Sequence, residues 1–537
     1  MRQFFSEARE RAFFYGILGL WLLPIWSVDF FVTGDGPCHL YNSRILLDAW
    51  TQQHWAFYAP FYNINTAFDP NWLFNGLTVP LLAVFSPALA EKVFLSGYVL
   101  LFAFGFRFLV RQINANALFL SSLALLFCQH RLVLMGFYNN SLSLALWFWV
   151  VGWWWQNRDV HRPLVLLWGM ALWLLLYAAH PMGFVFSGLT IACLVLGLVW
   201  QESRPLGYPQ ALRRGAKRVG ATLVCALPAL VLMLRFVWQH TWAAAQTPAD
   251  PIQALDNFWR LTALIGLNRS EKGAALLTEL VCMALLGYAL FLRKRQKGAL
   301  ATDGWLLFVA VAFFCMLFPP NSISGGLEVP MRLVVLPYFA LLFWCAANEF
   351  PSWVKGATLV SALVLSLAFV GLRWPAQQRA SDLAKEVYAC RDSIRAGGTV
   401  LVLNYDVAGK TPEGRDIANK IWLFGHVDCY IGAAQPAILS DNYEASYGYF
   451  PVSWRWQTGL PGQTDKDGIN FYHRPPRADV LSYNRRTGQH IDYVLFVNYR
   501  DEFGAHAYTQ EIFAQLDQAF EKIYASPQRR AILYRRK

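Results

Sequence analysis

The stretch that decides how this chain is organised is TGDGPCHLYN, residues 33–42, which comes directly after the first long hydrophobic run. That run, Ala12–Val28, has no charged residue and follows three arginines. Basic residues that flank a first membrane span tend to stay in the cytoplasm. The sequence therefore predicts that Asp35 and His39 emerge at the opposite membrane face, beside glycines and a proline that fix the backbone and admit a substrate.

A solvated loop with a helix cap is the structural alternative for the same residues. Asp-Gly-Pro is ordinary turn sequence, and Asp35 precedes a helix expected over Leu40–Trp50, for which it could be the N-cap. A histidine at position 39 could equally cap or pack in such a loop. Both alternatives stay open from the sequence.

The composition is that of a membrane protein. Of the 537 residues, 56% are hydrophobic and 15% are charged, against about 25% charged residues in soluble domains. The net charge of +12 agrees with positive cytoplasmic loops and a basic C-terminal part. No nucleic-acid-binding motif accompanies that charge, so a lipid bilayer is an expected partner and nucleic acid is not.

Uncharged hydrophobic runs recur as far as about Leu372 and then stop. At about 20 residues for each crossing, they predict a polytopic α-helical transmembrane domain over residues 1–373 with about 11–13 spans. The run Pro163–Gln201 is long enough for two crossings and is interrupted at His180-Pro181. This interruption predicts a helical hairpin with His180 at its tip.

Clusters of lysine and arginine set the expected orientation. Those in residues 158–162, 204–218 and 293–297 should be cytoplasmic, as should the N-terminus. Residues 70–110 fit either one crossing or two. Threading the chain between the basic clusters puts the other polar segments on the periplasmic face of a bacterial inner membrane. The polar side chains gathered there are Asp35, His39, Asp69, Asn139, His180, Glu328 and Arg332.

Residues 374–537 have a different character and predict a periplasmic α/β domain. Charged residues become frequent, and patterns typical of helices alternate with patterns typical of strands. The expected helices are Arg379–Arg395 and Thr509–Tyr524, and the expected strands are Thr399–Leu403, Tyr493–Val497 and Ala531–Tyr534.

These features together resemble the GT-C class of glycosyltransferases, multi-span enzymes that take a sugar from a polyprenyl-phosphate donor on the outer side of the membrane. The resemblance lies in the first span with an acidic residue after it, a long outer loop with amphipathic helices (residues 33–71) and the terminal soluble domain. Similar bacterial sequences pair an Asp-Gly-Pro-x-His-Leu motif with Gly-Phe-x-Asn, here Gly136–Asn139, and with a later His-Pro. The Trp-Trp-Asp tripeptide of oligosaccharyltransferase catalytic subunits is absent, which argues against protein N-glycosylation.

The resemblance implies inverting transfer of a single sugar from a polyprenyl-phosphate donor to a glycan, lipid or protein acceptor of the cell envelope. Such a reaction needs a carboxylate that accepts the proton of the acceptor hydroxyl and cations that neutralise the departing phosphate. Asp35 is the predicted general base, and Asp69 is a second predicted catalytic carboxylate. The side chains predicted to bind substrate are His39, Asn139, His180, Glu328 and Arg332.

Structural roles remain open for several of these residues. Asp69 precedes a proline at what could be an ordinary span entry. His180 needs a polar partner in the membrane, which a backbone carbonyl could provide. Glu328 and Arg332 are four residues apart and could form an ion pair on one helix face.

No cofactor is assigned from the sequence. Six of the nine cysteines lie inside apolar runs and lack metal-ligand spacing, and a Cys390–Cys429 disulfide is open. Acids beside a sugar phosphate could recruit a divalent cation, Mg²⁺ or Mn²⁺. Two other functions also stay open: a transporter or lipid flippase, for which no internal repeat is apparent, and a ligase or polymerase that joins whole lipid-linked glycans.

Overall fold

A computed structural model describes residues 6–240, 250–295, 300–318, 328–411, 413–460 and 475–537. The first part of the chain is a bundle of helices, and the last part carries a mixed β-sheet. This arrangement confirms the expected fold class, a polytopic helical protein with a C-terminal α/β domain.

The helical bundle consists of the helices that precede residue 390. They are α1 (Glu7–Trp26), α2 (Gly36–Thr51), α3 (Trp55–Tyr58), α4 (Leu73–Leu82), α5 (Pro87–Ile113), α6 (Leu120–Ala124), α7 (Arg131–Leu134), α8 (Tyr138–Asn157), α9 (Pro163–Ala179), α10 (Pro181–Leu206), α11 (Tyr208–Gln239), α12 (Pro251–Trp259), α13 (Lys272–Lys294), α14 (Gly304–Leu317), α15 (Val329–Leu333), α16 (Val335–Ala346) and α17 (Ser352–Ala389).

Six helical segments among the described residues are long and apolar enough to cross a membrane. They are Pro87–Ile113, Pro181–Leu206, Tyr208–Gln239, Arg269–Lys294, Val329–Ala346 and Ser352–Ser393. The predicted 11–13 spans are reached only if α1 and α8, each of 20 residues, and shorter apolar helices are also counted. Helix α4 has 10 residues and is therefore about 15 Å long, half of a bilayer core. Residues 70–110 thus contain one full crossing, made by α5.

The hairpin predicted around His180 is confirmed. Helix α9 ends at Ala179 and α10 begins at Pro181, so His180 is the single residue between them. Helix α10 then ends close to the start of α11, near the basic residues 204–218. The bundle consequently carries its basic clusters at one end and His180 at the other.

Helix α2 of the first outer loop is mostly buried rather than lying as an amphipathic helix on a surface. It packs against α4 on one side and against α18 (Cys429–Ala434) of the C-terminal part on the other. The same loop contains strand β1 (Tyr62–Ile64), which pairs antiparallel with β4 (Val452–Trp454). The first outer loop is therefore packed into the C-terminal part.

The C-terminal part is built on a five-stranded mixed sheet. Its strands are β2 (Thr399–Asn404), β3 (Ile438–Leu439), β5 (Tyr493–Val497), β6 (Phe520–Ala525) and β7 (Ala531–Arg536), in the order β3-β2-β5-β7-β6. Strand β2 pairs parallel with β3 and β5, and the pairs β5–β7 and β6–β7 are antiparallel. Two further helices are α19 (Tyr483–Thr487) and α20 (Ala507–Ala519).

Two boundaries differ from the sequence-based expectation. The helix expected over Thr509–Tyr524 ends at Ala519, because the residues after it form strand β6 and pair with β7. The helix expected over Arg379–Arg395 is the last portion of α17, which runs without interruption from the bundle. The domain boundary expected between residues 373 and 374 thus falls inside a continuous helix.

A buried ion pair fixes α17 in the bundle. Arg373 lies on α17 with 4% of its surface exposed, and its guanidinium bonds Glu271 at 2.8–2.9 Å. The remaining N–H groups donate to the carbonyls of Gln129 at 2.9 Å and Leu264 at 2.6 Å. Glu271 in turn accepts three backbone N–H groups of residues 266–268. The Arg373 side chain therefore joins α17 to the segment at Gln129 and to the segment that contains Leu264 and Glu271.

We expect Arg373→Met to destabilise the protein strongly. The substitution leaves Glu271 and two carbonyls buried without their partner, a loss of about 3–5 kcal/mol. The midpoint of thermal unfolding in detergent measures this effect. Arg379→Met, an exposed position on the same helix, should leave the midpoint within 1–2 °C of the wild type (about 0.5 kcal/mol or less). Equal midpoints for the two variants would contradict the role given to Arg373.

Candidate active site

Asp35 occupies the N-cap position of α2, but its carboxylate is directed elsewhere. In the described part of the chain it makes no capping hydrogen bond. One oxygen accepts from the Tyr443 hydroxyl at 2.9 Å, and the other lies 3.4 Å from the Trp422 indole nitrogen and 3.8 Å from His426 Nε2. Simple helix capping therefore does not account for this side chain.

The glycines around Asp35 allow the backbone of residues 34–36 to lie close to the backbone of residues 134–136. The Asp35 N–H donates to the carbonyl of Met135 at 2.8 Å, and that of Gly34 donates to Leu134 at 3.0 Å. Gly136 has a positive φ of 86°, and a Cβ there would lie closer than 3.0 Å to the backbone nitrogens of Asp35 and Gly36. The glycines thus seat the Asp35 loop on residues 134–136, and their expected role in admitting a substrate stays a prediction.

His426 lies between two carboxylates. Its Nδ1 bonds Asp441 at 2.8 Å, its Nε2 faces Asp35, and its ring stacks on Tyr443 with centroids 4.6 Å apart. Burial alone would lower the pKa of His426, but the carboxylates of Asp441 and Asp35 outweigh it and raise the pKa to about 9. His426 is therefore an imidazolium near neutral pH, next to the Asp35 carboxylate.

His39 binds the C-terminal part. Its Nδ1 forms an ion pair with Glu444, and the pKa of His39 is raised because the Glu444 carboxylate outweighs the opposing effect of burial. Glu444 also accepts from the Asn42 amide at 2.9 Å. Both polar ends of this contact are buried. The described contacts of His39 therefore join α2 to the C-terminal part.

Arg332 lies near Asp35 on the other side of the loop at residues 134–137. Its guanidinium is 4.6 Å from the centroid of the Phe137 ring and 3.3 Å from His180 Nε2. The other nitrogen of His180 accepts the backbone N–H of Met182 at 3.1 Å, which orients the imidazole. The structure thus brings His180 and Arg332 into direct contact, and their binding of substrate stays a prediction.

An apolar groove runs from Arg332 into the bundle. It lies between α8, α10 and α16 and is open to one side, with about 370 Å³ of space when the solvent at the open side is counted. Its walls are mostly apolar, and polar atoms come from Arg332, Asn140 and Ser143; the other lining residues are Leu132, Leu144, Trp147, Met182, Gly183, Phe186, Val335 and Leu336. The groove has a cationic end and a hydrocarbon-like interior.

Asp69 belongs to a separate polar cluster. Its carboxylate lies 3.0 Å from the Asn65 amide, 3.6 Å from Arg235 and 3.8 Å from His240. Tyr449 separates this cluster from Arg332: its ring centroid is 6.3 Å from that of His240, and its hydroxyl is close enough to Arg332 to interact electrostatically. The structure therefore does not bring Asp69 into contact with Asp35.

Asn139 and Glu328 have structural partners. The Asn139 amide accepts the N–H of Phe74 and donates to the carbonyl of Asn71, both at 2.9 Å, so it fixes the entry to α4. The Glu328 carboxylate contacts Arg131 at 3.2 Å, on a different helix from Arg332. The expected substrate contacts of these two residues stay predictions.

Five side chains of this site were missed by the sequence analysis: Trp422, His426, Asp441, Tyr443 and Glu444. All come from the C-terminal part. Trp422, His426 and Tyr443 lie against Asp35, Glu444 pairs with His39, and Asp441 pairs with His426. The available signal was a pair of short runs, FGHVDC at 424–429 and SDNYE at 440–444, in which histidine, acids and tyrosine stand together. Sequence position alone does not bring these runs next to residue 35.

We expect Gly136→Ala to destabilise the protein by about 1–3 kcal/mol, because alanine is strained at positive φ and its Cβ would displace the Asp35 loop. Gly273→Ala is the matched control, since a Cβ at that position of α13 meets no heavy atom within 4 Å. Thermal unfolding in detergent should show a lowered midpoint for the first variant only. An unchanged midpoint for Gly136→Ala would contradict the backbone contact.

Solved structures share this architecture. ArnT from Cupriavidus metallidurans in the apo state aligns with a TM-score of 0.55 and 12% identity over 98% of each chain. ArnT bound to undecaprenyl phosphate gives 0.53 and 11%, over 99% of this chain and 98% of that one. The arabinofuranosyltransferase AftD from Mycobacteria gives 0.50 and 12%, over 99% of this chain but only 40% of AftD.

These likenesses, at 11–12% identity, show the fold. The chain has the GT-C fold, as its resemblance to that class implied, and is a multi-pass membrane protein. No protein-family profile matches the sequence, and no curated protein matches it either.

Proposed function

We propose that this protein is an inverting glycosyltransferase that moves a single sugar from a polyprenyl-phosphate donor to a cell-envelope acceptor. The observation that carries the proposal is the convergence of an acid and a cation above an apolar groove. Asp35 and Arg332 flank the loop at residues 134–137, and the groove leads from Arg332 into the bundle. The GT-C fold supports the same chemistry.

Asp35 acts as the general base in this proposal. The acceptor oxygen forms a bond to the anomeric carbon while the bond from that carbon to the phosphate oxygen breaks, and the acceptor proton passes to the Asp35 carboxylate. Tyr443 and Trp422 orient the carboxylate through neutral donors. His426 as an imidazolium places a positive charge beside the Asp35 carboxylate.

Arg332 holds the phosphate. A guanidinium offers parallel N–H groups that suit phosphate oxygens and neutralises the charge that grows on the leaving group. The contact with His180 orients the Arg332 guanidinium. The isoprenoid chain lies in the groove between α8, α10 and α16, where the lining is apolar. Undecaprenyl phosphate, which the ArnT structure contains, has this combination of an anionic head and an apolar tail.

The sugar and acceptor lie under an aromatic cover in this proposal. Tyr443, Tyr447, Tyr449 and Phe450 form a chain of ring contacts with centroids 5.0–6.5 Å apart. Beyond this cover, Asp69 with Arg235 and His240 offers a second polar subsite for the acceptor. The acceptor is a glycan, lipid or protein, and dependence on Mg²⁺ or Mn²⁺ stays a prediction.

The site faces the periplasm of a bacterial inner membrane in this proposal. The end of the bundle that carries Asp35 and His180 lies opposite the basic clusters, which should be cytoplasmic. The N-terminus is then cytoplasmic, and the C-terminal part covers the site from the periplasmic side.

Asp35→Asn should lower the rate of sugar transfer by about 10²–10⁴-fold, because the amide keeps the shape of the side chain but cannot accept a proton. The measurement is mass spectrometry of lipid-linked sugars and envelope glycans in a deletion strain that expresses each variant. Asp29→Asn is the control, since Asp29 is exposed and pairs with Lys385.

The expected result is accumulation of one polyprenyl-phosphate sugar, with loss of one sugar from a glycan, in the deletion strain and in the Asp35→Asn strain only. Normal profiles with Asp35→Asn at wild-type protein level would overturn the assignment of the base. Loss of a whole oligosaccharide instead of one sugar would indicate a ligase or polymerase. Unchanged profiles in the deletion strain itself would favour a transporter.

Arg332→Gln should raise the KM for the lipid-linked donor by about 10–100-fold, the loss expected for one or two charge-assisted hydrogen bonds. Initial rates of purified protein against donor concentration measure this change. Arg131→Gln serves as the control, because Arg131 pairs with Glu328 and should leave the KM unchanged. Equal KM values for Arg332→Gln and the wild type would place the phosphate elsewhere.

A further inference from the structure

A group of potential metal ligands lies next to the Asp35 site. A ring nitrogen of His426, Sγ of Cys429 and a carboxylate oxygen of Asp441 all lie within 4.8 Å of one another. His426 is 2% exposed and Cys429 is fully buried. Three donors of different chemistry therefore converge in a place that water scarcely reaches.

The chain positions these donors without strain. The Cys429 N–H donates to the His426 carbonyl at 3.0 Å, so a single turn at the start of α18 puts the imidazole and the thiol side by side. Asp441 follows strand β3 and approaches from the opposite side. A His-x-x-Cys turn with a distant third ligand is a spacing that zinc sites use.

Asp428 gives an independent observation that points to a cation at this position. Its side chain is fully buried, and its Oδ1 has no hydrogen-bond partner among the described residues. Its Oδ2 lies 4.0 Å from Cys429 Sγ. The carboxylates of Asp428 and Asp441 are also within hydrogen-bonding reach of each other, which is costly for two buried anions.

The local charge points the same way. Asp35, Asp428 and Asp441 place three carboxylates around the single imidazole of His426. Buried anions need compensation by a cation or by protons. A divalent ion held by His426, Cys429 and Asp441 would supply it.

We propose that His426, Cys429 and Asp441 form a zinc site next to the Asp35 carboxylate. Zn²⁺ accepts a mixture of imidazole nitrogen, thiolate sulfur and carboxylate oxygen in four-coordinate sites. Mg²⁺ and Mn²⁺ prefer oxygen ligands alone and fit this donor set less well. The proposal does not depend on the glycosyltransferase assignment.

Zinc at this site orients a residue that faces Asp35. Zinc bound at Nδ1 would take the place of the proton on that nitrogen, so His426 would be a neutral imidazole and the positive charge near Asp35 would come from the ion. The hydrogen on Nε2 would still point toward Asp35 Oδ1, 3.8 Å away. His426 is then a positioning residue that acts on Asp35. The ion also joins α18 to the segment after β3 and keeps the cover of the site in place.

The first test is the metal content of the full-length protein, purified in detergent with an affinity tag that contains no histidine. Inductively coupled plasma mass spectrometry should find about one zinc per chain in the wild type. Cys429→Ser and His426→Gln should retain less than a fifth of that amount. Cys345→Ser, which removes a buried thiol from α16, should keep it.

The second test uses cobalt, and the outcome that decides it depends on the wild-type protein alone. Wild-type protein reloaded with Co²⁺ should show a near-ultraviolet thiolate-to-cobalt charge-transfer band, absent from Cys429→Ser and present in Cys345→Ser. Folded wild-type protein that holds no zinc as purified and gives no such band with Co²⁺ would overturn the proposal.

A thiol titration tests the competing possibility, a disulfide between Cys38 and Cys429. The thiols of Cys38 and Cys429 face each other closely enough to hydrogen-bond, so a disulfide between them would consume the proposed ligand. Denatured, unreduced protein should react at all nine cysteines. Two missing thiols, mapped to Cys38 and Cys429, would contradict the zinc site.

Discussion

The arrangement of this protein depends on a buried polar contact between α2 and the C-terminal part. Asn42 and Asn442 exchange hydrogen bonds between their amides at 2.8–3.0 Å, and the Tyr41 hydroxyl donates to the carbonyl of Ala437 at 2.6 Å. The ion pair of His39 with Glu444 lies beside them. Buried polar groups must find partners, and each of these finds its partner across the contact. These contacts therefore fix the position of the C-terminal part on α2.

The position of the C-terminal part on α2 determines which side chains surround Asp35. Because the segment around Glu444 is fixed on α2, Tyr443 and His426 are carried to within 4 Å of the Asp35 carboxylate. The glycines of the Asp35 loop meanwhile allow it to lie on residues 134–136, which places Arg332 across Phe137. An acid, an imidazolium and a guanidinium thus meet where the bundle and the C-terminal part join, above a groove suited to a lipid tail.

The sequence predicted the elements whose signal is local. The sequence correctly predicted the hairpin tip at His180 and the apolar strand β2. Both signals, a proline break and a buried hydrophobic run, depend only on neighbouring residues. The site was predicted only in part: His180 and Arg332 meet, whereas Asp69 lies in another cluster and Asn139 bonds backbone groups. The residues that cover Asp35 come from positions about 390–410 later in the chain. Their placement depends on the contact with α2, which no local pattern records.

One measurement tests the central proposal most directly: a cryo-electron microscopy structure of the protein in nanodiscs with a polyprenyl monophosphate. The phosphate should bind Arg332 beside His180, the isoprenoid should occupy the groove between α8, α10 and α16, and Asp35 should face the phosphate across an open space for a sugar. A phosphate bound instead at Arg235 and His240, beside Asp69, would contradict this arrangement. So would a lipid tail outside the groove.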